Sequence, residues 1–311
     1  MKIKAYIPEK TLNIRIPAST SNLGSAFDAV GLALQLYLSV IVRKLERAPS
    51  SIEFQGQGER LVPRDNKNLI WSVMDDVARR KGQQLPPFSI CVKNEIPIAR
   101  GLGSSAAACL AGITAADYLC SLNLNDEDVL ELATAFEGHP DNVAPALFGG
   151  LVASIGGDKI LCSRSEFPSG WKVVIVTPDF ALETKLARSV LPSKVPHHDA
   201  IFNVQRAAFL MAQLVQGRRE GVREAMNDQL HQPYRSSLIP GFPEILAMEP
   251  CEGLIGIALS GAGSSVVAFA DARAQEIADR IRSIFVRHGL SAEARLLNAD
   301  TRGLVLQEET A

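Results

Sequence analysis

The spacing of apolar residues in the first part of the chain changes between two periods. Apolar and polar residues alternate at 12–17 and again at 88–93, and this two-residue period predicts strands. The apolar segment that ends at Val42 predicts another strand. Apolar positions three and four residues apart at 68–81 predict a helix that stops at Gly82. Strands and helices are therefore expected to mix from the start.

Glycine-rich turns separate the segments that follow. The turn at 101–105 leads into an Ala-rich helix that is predicted to run to Leu119. Acidic residues at 125–128 are predicted to begin the next helix, because the helix dipole favours negative charge at that end. Further strands are predicted at 151–155 and 171–177.

The last part of the chain is predicted to run strand, helix, helix, strand, strand, helix, strand. Two of these strands, 254–259 and 265–270, flank a second glycine turn. The helix at 272–288 is followed by Gly289, where a helix-ending glycine is favoured. Strands and helices that mix without a regular βαβ rhythm favour an α+β fold.

The most irregular stretch of the chain contains Gly156, Gly157, Pro168 and Gly170. A chain of 311 residues is long enough for two domains. We therefore expect one domain over 1–157 and a second over 158–311.

Composition excludes several classes of protein. The 32 Lys and Arg balance 34 Asp and Glu, whereas coating nucleic acid or an anionic membrane needs a basic surplus. No apolar run approaches the ~20 residues of a membrane span, and residues 1–8 lack the apolar core of a secretory signal. The odd number of cysteines, with no CxxC pair, indicates reduced thiols. A cytoplasmic protein with no nucleic-acid or membrane partner is expected.

The sequence PIARGLGSSAA at 97–107 has the composition of a phosphate-binding turn. It follows a predicted strand and opens a predicted helix. Glycines let backbone N–H groups converge, and a helix N-terminus adds unpaired donors and a positive dipole end. Ser104 and Ser105 add hydroxyls for phosphate or Mg²⁺. The alternative is a plain strand–helix turn with a Ser cap.

The type of phosphate site can be narrowed. The chain has no GxxxxGK[ST], so the turn is not a P-loop. Residues 101–106 fit GxGxxA, which is the dinucleotide-binding pattern. That pattern needs an acidic residue at the end of the next strand, whereas the acidic residues at 125–128 begin a helix. A dinucleotide site is therefore the second hypothesis.

Three motifs resemble those of the GHMP small-molecule kinases. Residues 97–107 resemble the family's ATP-phosphate loop, 17–28 its N-terminal substrate motif, and 259–265 its C-terminal glycine motif. Together they cover nearly the whole chain. The resemblance implies an α+β GHMP kinase fold. Its N-terminal domain would be like domain 2 of ribosomal protein S5, and its C-terminal domain would be ferredoxin-like.

Two further stretches resemble the homoserine kinases within that family. One is 137–150, which contains HPDNVAPA, and the other is 184–192, which begins TKLAR. They imply that ATP phosphorylates the side-chain hydroxyl of L-homoserine, which is a step of threonine biosynthesis. They also imply that the protein is a homodimer. Three alternatives stay open: a GHMP kinase for another small alcohol, a nicotinamide-dependent dehydrogenase, and a regulatory member that only binds ligands.

The resemblance also implies a substrate site. Arg188 and Arg235 would bind the substrate carboxylate, since guanidinium binds carboxylates bidentately. Asp28 would accept from the ammonium, or else cap a helix. The candidate substrate-binding residues are Asn22, Asp28, His139, Asn142, Arg188 and Arg235.

The nucleotide and its metal ion are expected at the glycine turns. Candidate ATP-binding residues are Pro97, Ile98, Ala99, Arg100, Gly101, Leu102, Gly103, Ser104, Ser105, Ala106, Ala107, Gly261 and Gly263, with Asn66 and Asn68 beside the base. Candidate Mg²⁺ ligands are Ser105 and Glu131. For Glu131 the alternative is a solvent-facing helical position.

Direct in-line attack is the expected mechanism, because positioning and charge stabilisation suffice for a loose phosphoryl-transfer transition state. The candidate catalytic residues are Ser104, Asp141, Asn142 and Arg188. The alternative is that Asp141 accepts the hydroxyl proton as a general base.

Overall fold

The structure, a computed structural model, describes residues 10–310. The expectation about residues 1–8 lies outside this range. Within it the strands are β1 (Lys10–Ser21), β2 (Val30–Lys44), β3 (Ser51–Gly56), β4 (Phe88–Asn94), β5 (Leu151–Ile155), β6 (Leu161–Ser165), β7 (Lys172–Pro178), β8 (Leu254–Leu259), β9 (Val266–Ala270), β10 (Ala292–Leu297) and β11 (Val305–Thr310). The helices are α1 (Leu69–Arg80), α2 (Ser104–Cys120), α3 (Asp126–Glu137), α4 (Val143–Phe148), α5 (Thr184–Ser189), α6 (His197–Gln216), α7 (Val222–Ala225), α8 (Gln232–Arg235), α9 (Phe242–Leu246) and α10 (Ala274–Arg287).

The first sheet follows the order β11–β1–β2–β4–β3, with β5 paired to β2 and β6 paired to β5. Its pairs are antiparallel except β3 with β4. A parallel pair needs a crossover connection, and α1 supplies it. The helix α2 buries Ala and Leu side chains in the core of this layer, so the turn that precedes it is fixed to the sheet.

The second sheet has the order β10–β7–β9–β8 and is antiparallel throughout. Helices connect β7 to β8, and α10 connects β9 to β10. This is the βαββαβ arrangement of a ferredoxin-like fold, which confirms the expected α+β architecture of the C-terminal part.

The first sheet extends across the predicted boundary between 157 and 158. Strands β6 and β11 both lie after it in sequence and belong to this sheet. The larger hydrophobic core likewise joins Leu110 of α2 to Val173 and Phe269 of the second sheet. The glycines near 157 mark a loop, and backbone pairing rather than composition decides where the sheet ends.

Most predicted elements are present within a few residues, including α1, α2, α3, β5 and β8. The segment between β7 and β8 is different, since two helices are predicted and α5 to α9 are observed. Four of these five helices have six residues or fewer, which is too short to show a helical period. Among residues 10–310, no helix has the length and apolar character needed to cross a bilayer.

Candidate active site

A cavity lies where the two sheets meet, and both glycine turns reach it. Of the predicted site residues it is lined by Asn22, Asp28, Ala99, Arg100, Gly101, Leu102, Gly103, Ser104, Ser105, His139, Asp141, Asn142, Arg188, Arg235 and Gly261. It is also lined by Ser21, Glu137, Thr184 and Ala262, which sequence analysis missed. The fold thus joins motifs that lie far apart in the sequence.

The turn before α2 has the backbone of an anion-binding loop. Ala99, Gly101 and Gly103 adopt positive φ values of 53°, 73° and 68°. Residues with positive φ thus alternate with residues of negative φ, and this alternation turns successive backbone N–H groups toward one side. Gly103 is the N-cap of α2 and makes no side-chain hydrogen bond to it, so the first-turn N–H groups keep their donor capacity. The alternative of a turn capped by Ser is therefore wrong.

Both glycines of this turn are required by close packing. A Cβ atom on Gly101 would lie 2.1 Å from the carbonyl oxygen of Ser260, and one on Gly103 would lie 2.1 Å from Oγ of Ser19. Oγ of Ser260 donates to the carbonyl of Gly101 at 2.6 Å, and the N–H of Ser265 donates to the carbonyl of Arg100 at 3.1 Å. The C-terminal glycine turn at 259–265 is therefore hydrogen-bonded to the glycine turn at 97–107, the phosphate-type turn.

Asn142 is held in one orientation at the floor of the cavity. Oγ of Ser19 donates to its Oδ1 at 3.0 Å, and its Nδ2 donates to Oγ of Ser21 at 2.8 Å. The next residue begins α4, so the backbone is fixed as well. These contacts link the HPDN segment to β1.

His139 and Asp141 form a hydrogen-bonded pair beside Asn142, through Nδ1 and Oδ1. Burial lowers the pKa of His139, but the hydrogen bond and charge of Asp141 outweigh it and raise the pKa above its ordinary value. Burial acts against ionisation of Asp141, yet contact with His139 brings its pKa below its ordinary value. Both shifts favour the charged form of the group concerned.

Asp28 and Arg188 form the second charged pair. Nη2 and Nη1 of Arg188 donate to the two carboxylate oxygens of Asp28 at 2.8 and 3.1 Å. Their side chains are 34% and 36% exposed, so a ligand can reach both groups. No helix follows Asp28, which precedes β2, and the helix-cap alternative is therefore wrong.

Arg235 is almost fully buried, with 1% of its surface exposed. Its Nε donates to the carbonyl of Ala187 and its Nη1 to the carbonyl of Gly261, each at 3.2 Å. Burial and the neighbouring Arg188 lower the pKa of Arg235 to about 10, so the side chain remains charged at neutral pH. The structure therefore places a buried cation beside the partly exposed Asp28–Arg188 pair.

The structure brings Glu137 rather than Glu131 to the phosphate-type turn. Oγ of Ser105 donates to Oε1 of Glu137, while Glu131 is exposed and does not line the cavity. Glu131 lies six residues earlier on α3, and this separation turns the two side chains to different sides of a helix. Ser105 and Glu137 supply oxygen donors of the kind that Mg²⁺ prefers.

Several predicted residues lie away from this cavity. Pro97 and Ile98 line a neighbouring cavity of about 640 Å³, which also contacts Ala99 and Arg100. The others outside the cavity lining are Asn66, Asn68, Ala106, Ala107 and Gly263. Ala106 and Ala107 are buried in the core, and Gly263 packs behind Gly101. The Asn68 side chain caps α1, whereas Asn66 is exposed.

Comparison with known proteins gives this arrangement a family. Residues 68–150 match the family model described as GHMP kinases N terminal domain, and residues 210–287 match GHMP kinases C terminal. A homoserine kinase of Solibacter usitatus is 41% identical over 94% of this chain and 96% of its own length. That of Moorella thermoacetica is 39% identical over 94% and 99%.

The chain belongs to the homoserine kinase family. A crystal structure of homoserine kinase from Cytophaga hutchinsonii superposes with a TM-score of 0.84 at 25% identity, covering 99% of this chain and all of the other. Membership of the homoserine kinase family confirms the resemblance found in the sequence motifs. It also removes the dinucleotide hypothesis, because the turn at 97–107 lies within the region that matches the GHMP kinase model.

Proposed function

We propose that this chain transfers the γ-phosphoryl group of ATP to the side-chain hydroxyl of L-homoserine, in threonine biosynthesis. The observation that carries the proposal is the shared cavity, in which an anion-binding turn faces a carboxylate and two guanidinium groups. The homoserine kinase relatives support the choice of substrate. We place the reaction in the cytoplasm, which suits the five free thiols of the chain.

The zwitterionic substrate would bind at three charged groups of the cavity. Its carboxylate accepts hydrogen bonds from Arg235 and Arg188, and its ammonium donates to Asp28. The amino acid thus inserts between Asp28 and Arg188 and replaces part of their mutual pairing. His139 and Asn142 lie on the same side as the phosphate-type turn and orient the hydroxyl toward it.

Phosphoryl transfer would then proceed by direct in-line attack, in which the homoserine oxygen bonds to the γ-phosphorus while the bond to ADP breaks and the hydroxyl proton passes to an oxygen of the transferred phosphoryl group. The N–H groups of the turn and the hydroxyl of Ser104 stabilise the charge on the transferred group. Ser105 and Glu137 would hold Mg²⁺, which neutralises phosphate charge when bound. Asn142 fixes the hydroxyl, and Arg188 fixes the amino-acid part of the substrate.

We assign Asp141 to holding His139 rather than to accepting the substrate proton. Its side chain is buried and already accepts from His139 and Asn142. An Asp141→Asn variant should therefore lose less than the roughly 10²–10⁴-fold that a general base contributes. A loss in kcat of that size, with substrate KM unchanged, would favour the base.

A coupled ADP-release assay tests the function. Mg-ATP is offered with L-homoserine, mevalonate, galactose, shikimate or pantoate, and turnover on homoserine alone is expected. Turnover on another alcohol would keep the kinase chemistry but overturn the substrate assignment. Absence of turnover, together with no change in melting temperature on adding Mg-ATP, would overturn the kinase itself.

We also propose that the chain forms a homodimer through α6. An exposed apolar stripe runs along this helix, with Ile201, Val204, Ala208, Ala212 and Val215 on one side. The stripe is symmetric about Ala208, so an antiparallel copy of α6 would match it position for position. In that register Asp199, near one end, faces the basic residues that follow the other end, Arg218 and Arg219.

Light scattering coupled to gel filtration tests this dimer. A Val204→Asp variant is expected to be monomeric while the wild type is dimeric, because it buries a charge in the apolar stripe. The matched control is Val286→Asp, the same substitution at an exposed position of α10. A monomeric wild type, or a dimer that survives Val204→Asp, would contradict this interface.

A further inference from the structure

A cluster of mostly buried side chains lies directly behind the cavity, around the guanidinium group of Arg235. It consists of Phe27, Asp228 and His231, and none of the three has a role in the proposed function. His231 has no exposed surface, and Asp228 is buried as well. The ring of His231 stacks on Phe27 with 5.0 Å between the ring centroids. A buried histidine this close to a substrate-binding arginine requires an explanation.

The two ring nitrogens of His231 face chemically opposite partners. Nε2 lies 2.8 Å from the carbonyl oxygen of Gly24, which can only accept, so Nε2 carries the proton. Nδ1 lies 3.2 Å from Nη1 of Arg235, which can only donate, so Nδ1 is the acceptor. Burial lowers the pKa of His231, although the carboxylate of Asp228 acts in the opposite direction. The ring is therefore neutral and in one tautomer.

Asp228 fixes the backbone that carries the ring. One of its carboxylate oxygens accepts from the backbone N–H groups of His231 and Gln232, at 2.8 and 2.6 Å. The other accepts from Nδ2 of Asn203 at 2.7 Å. These bonds hold the start of α8, and Arg235 is the last residue of that helix. The backbone at His231 is thus fixed by contacts other than the contact between its ring and the Arg235 side chain.

Three acceptors from three segments then define the plane of the guanidinium group. They are the carbonyl of Ala187 before Arg188, the carbonyl of Gly261 in the glycine turn, and Nδ1 of His231. The first two belong to segments that carry site residues themselves. His231 is the acceptor contributed from the interior, and it is the one whose acceptor atom a substitution can remove.

We propose that His231 is a positioning residue, whose neutral Nδ1 orients the guanidinium group of Arg235 toward the carboxylate of an α-amino acid substrate. The inference rests on the proposed function of Arg235. It adds a determinant of amino-acid recognition that does not touch the substrate. It also explains why a histidine, with one donor and one acceptor nitrogen, stands between a carbonyl oxygen and a guanidinium group.

Two substitutions distinguish the contribution of the acceptor nitrogen of His231 from that of its ring. His231→Phe keeps a stacked ring and removes the acceptor, whereas His231→Asn keeps an acceptor near the position of Nδ1. We expect His231→Phe to raise KM for homoserine at least about tenfold, because a hydrogen bond to a charged group is lost. Its kcat and its KM for ATP should change less than about twofold, and His231→Asn should restore most of the loss. The control His198→Phe changes an exposed histidine and should have wild-type kinetics.

An Arg235→Met variant makes failure of the inference distinguishable from failure of the function. If Arg235→Met raises KM for homoserine and His231→Phe does not, the positioning role is wrong and the function stands. If Arg235→Met leaves KM unchanged, the assignment of Arg235 fails. His231→Phe should add no further increase in the Arg235→Met background, because both act on one contact. A further increase there, or a lower melting temperature with unchanged KM, would assign His231 a structural role only.

Discussion

Individual positions decide which carboxylate reaches the phosphate-type turn. Glu131 and Glu137 both lie on α3, and both precede the HPDN segment. Six residues correspond to about 600° of rotation, which leaves the two side chains about 120° apart around the helix. Glu137 is the last residue of α3 and accepts from Ser105, and its carboxylate also accepts from Sγ of Cys109 at 3.6 Å. Residue type alone could not distinguish the two.

This difference can be measured with matched variants. We expect Glu137→Gln to reduce kcat/KM for Mg-ATP by roughly 10–100-fold, the usual effect of weakening a metal site. Glu131→Gln changes an exposed residue of the same helix and should remain near the wild type. Steady-state kinetics over a Mg²⁺ titration check both. The opposite ranking would return the metal site to Glu131.

At the residue scale, the sequence predicts which side chains line the cavity better than it predicts which contacts connect them. The motifs identify Asp28, Arg188 and Asn142 because each of these residues lies within a short run that is recognisable in the sequence. They do not identify Glu137, whose partner Ser105 lies 32 residues away in the sequence. They also do not identify His231, whose ring lies between the Gly24 carbonyl and the Arg235 side chain. Such contacts appear only once the backbone is folded.

At the scale of secondary-structure elements, the residues of the site lie at or beside the ends of helices and strands. Helix α1 illustrates how a residue expected beside the nucleotide serves an element instead. Oδ1 of Asn68 accepts from the N–H of Ile70 at 3.0 Å, and Nδ2 donates to the carbonyl of Pro63 at 2.9 Å. The side chain is buried, so capping accounts for its position.

Removal of this cap should affect stability rather than catalysis. We expect Asn68→Ala to reduce the free energy of unfolding by about 0.5–2 kcal/mol, the usual cost of losing an Asn cap. Its KM for ATP should stay near the wild type. Asn66→Ala, at an exposed position two residues earlier, is the control for stability. Denaturant unfolding and kinetics check this, and a selective rise in KM for ATP would restore Asn68 to the nucleotide site.

Long elements follow from the sequence, and short ones do not. The alternation in β1 and the apolar spacing in α1 extend over many residues, so each has a readable period. Helix α5 has six residues and α8 has four, and yet they carry Arg188 and Arg235. Their positions depend on tertiary contacts that no local pattern records.

At the scale of the whole molecule, the two sheets share a hydrophobic core. Leu110 and Ile113 from the first part belong to the same cluster as Val173, Leu210 and Phe269 from the second. The cavity lies at this junction, and the two glycine turns hydrogen-bond across it. The geometry of the site therefore depends on both layers being folded together.

The two tryptophans of the chain allow this dependence to be tested. Trp71 packs edge-on against Phe88 in the first layer, and Trp171 packs on Phe167 at the second. We expect the single-tryptophan variants Trp71→Phe and Trp171→Phe each to show a fluorescence transition in guanidinium chloride that coincides with its own circular dichroism transition. In either variant, fluorescence and circular dichroism midpoints that differ would show that the layers unfold independently.

The pairing of β1 with β11 has a consequence for how the chain folds as it is made. Lys10 lies opposite Thr310 in that ladder, so a ribosome has synthesised almost all of the intervening chain before β1 meets its outer neighbour. During translation β1 can pair with β2 alone, and its other edge stays open to the solvent. A nascent chain of this enzyme therefore exposes an unpaired strand edge until synthesis reaches β11, and an edge of this kind is prone to aggregation.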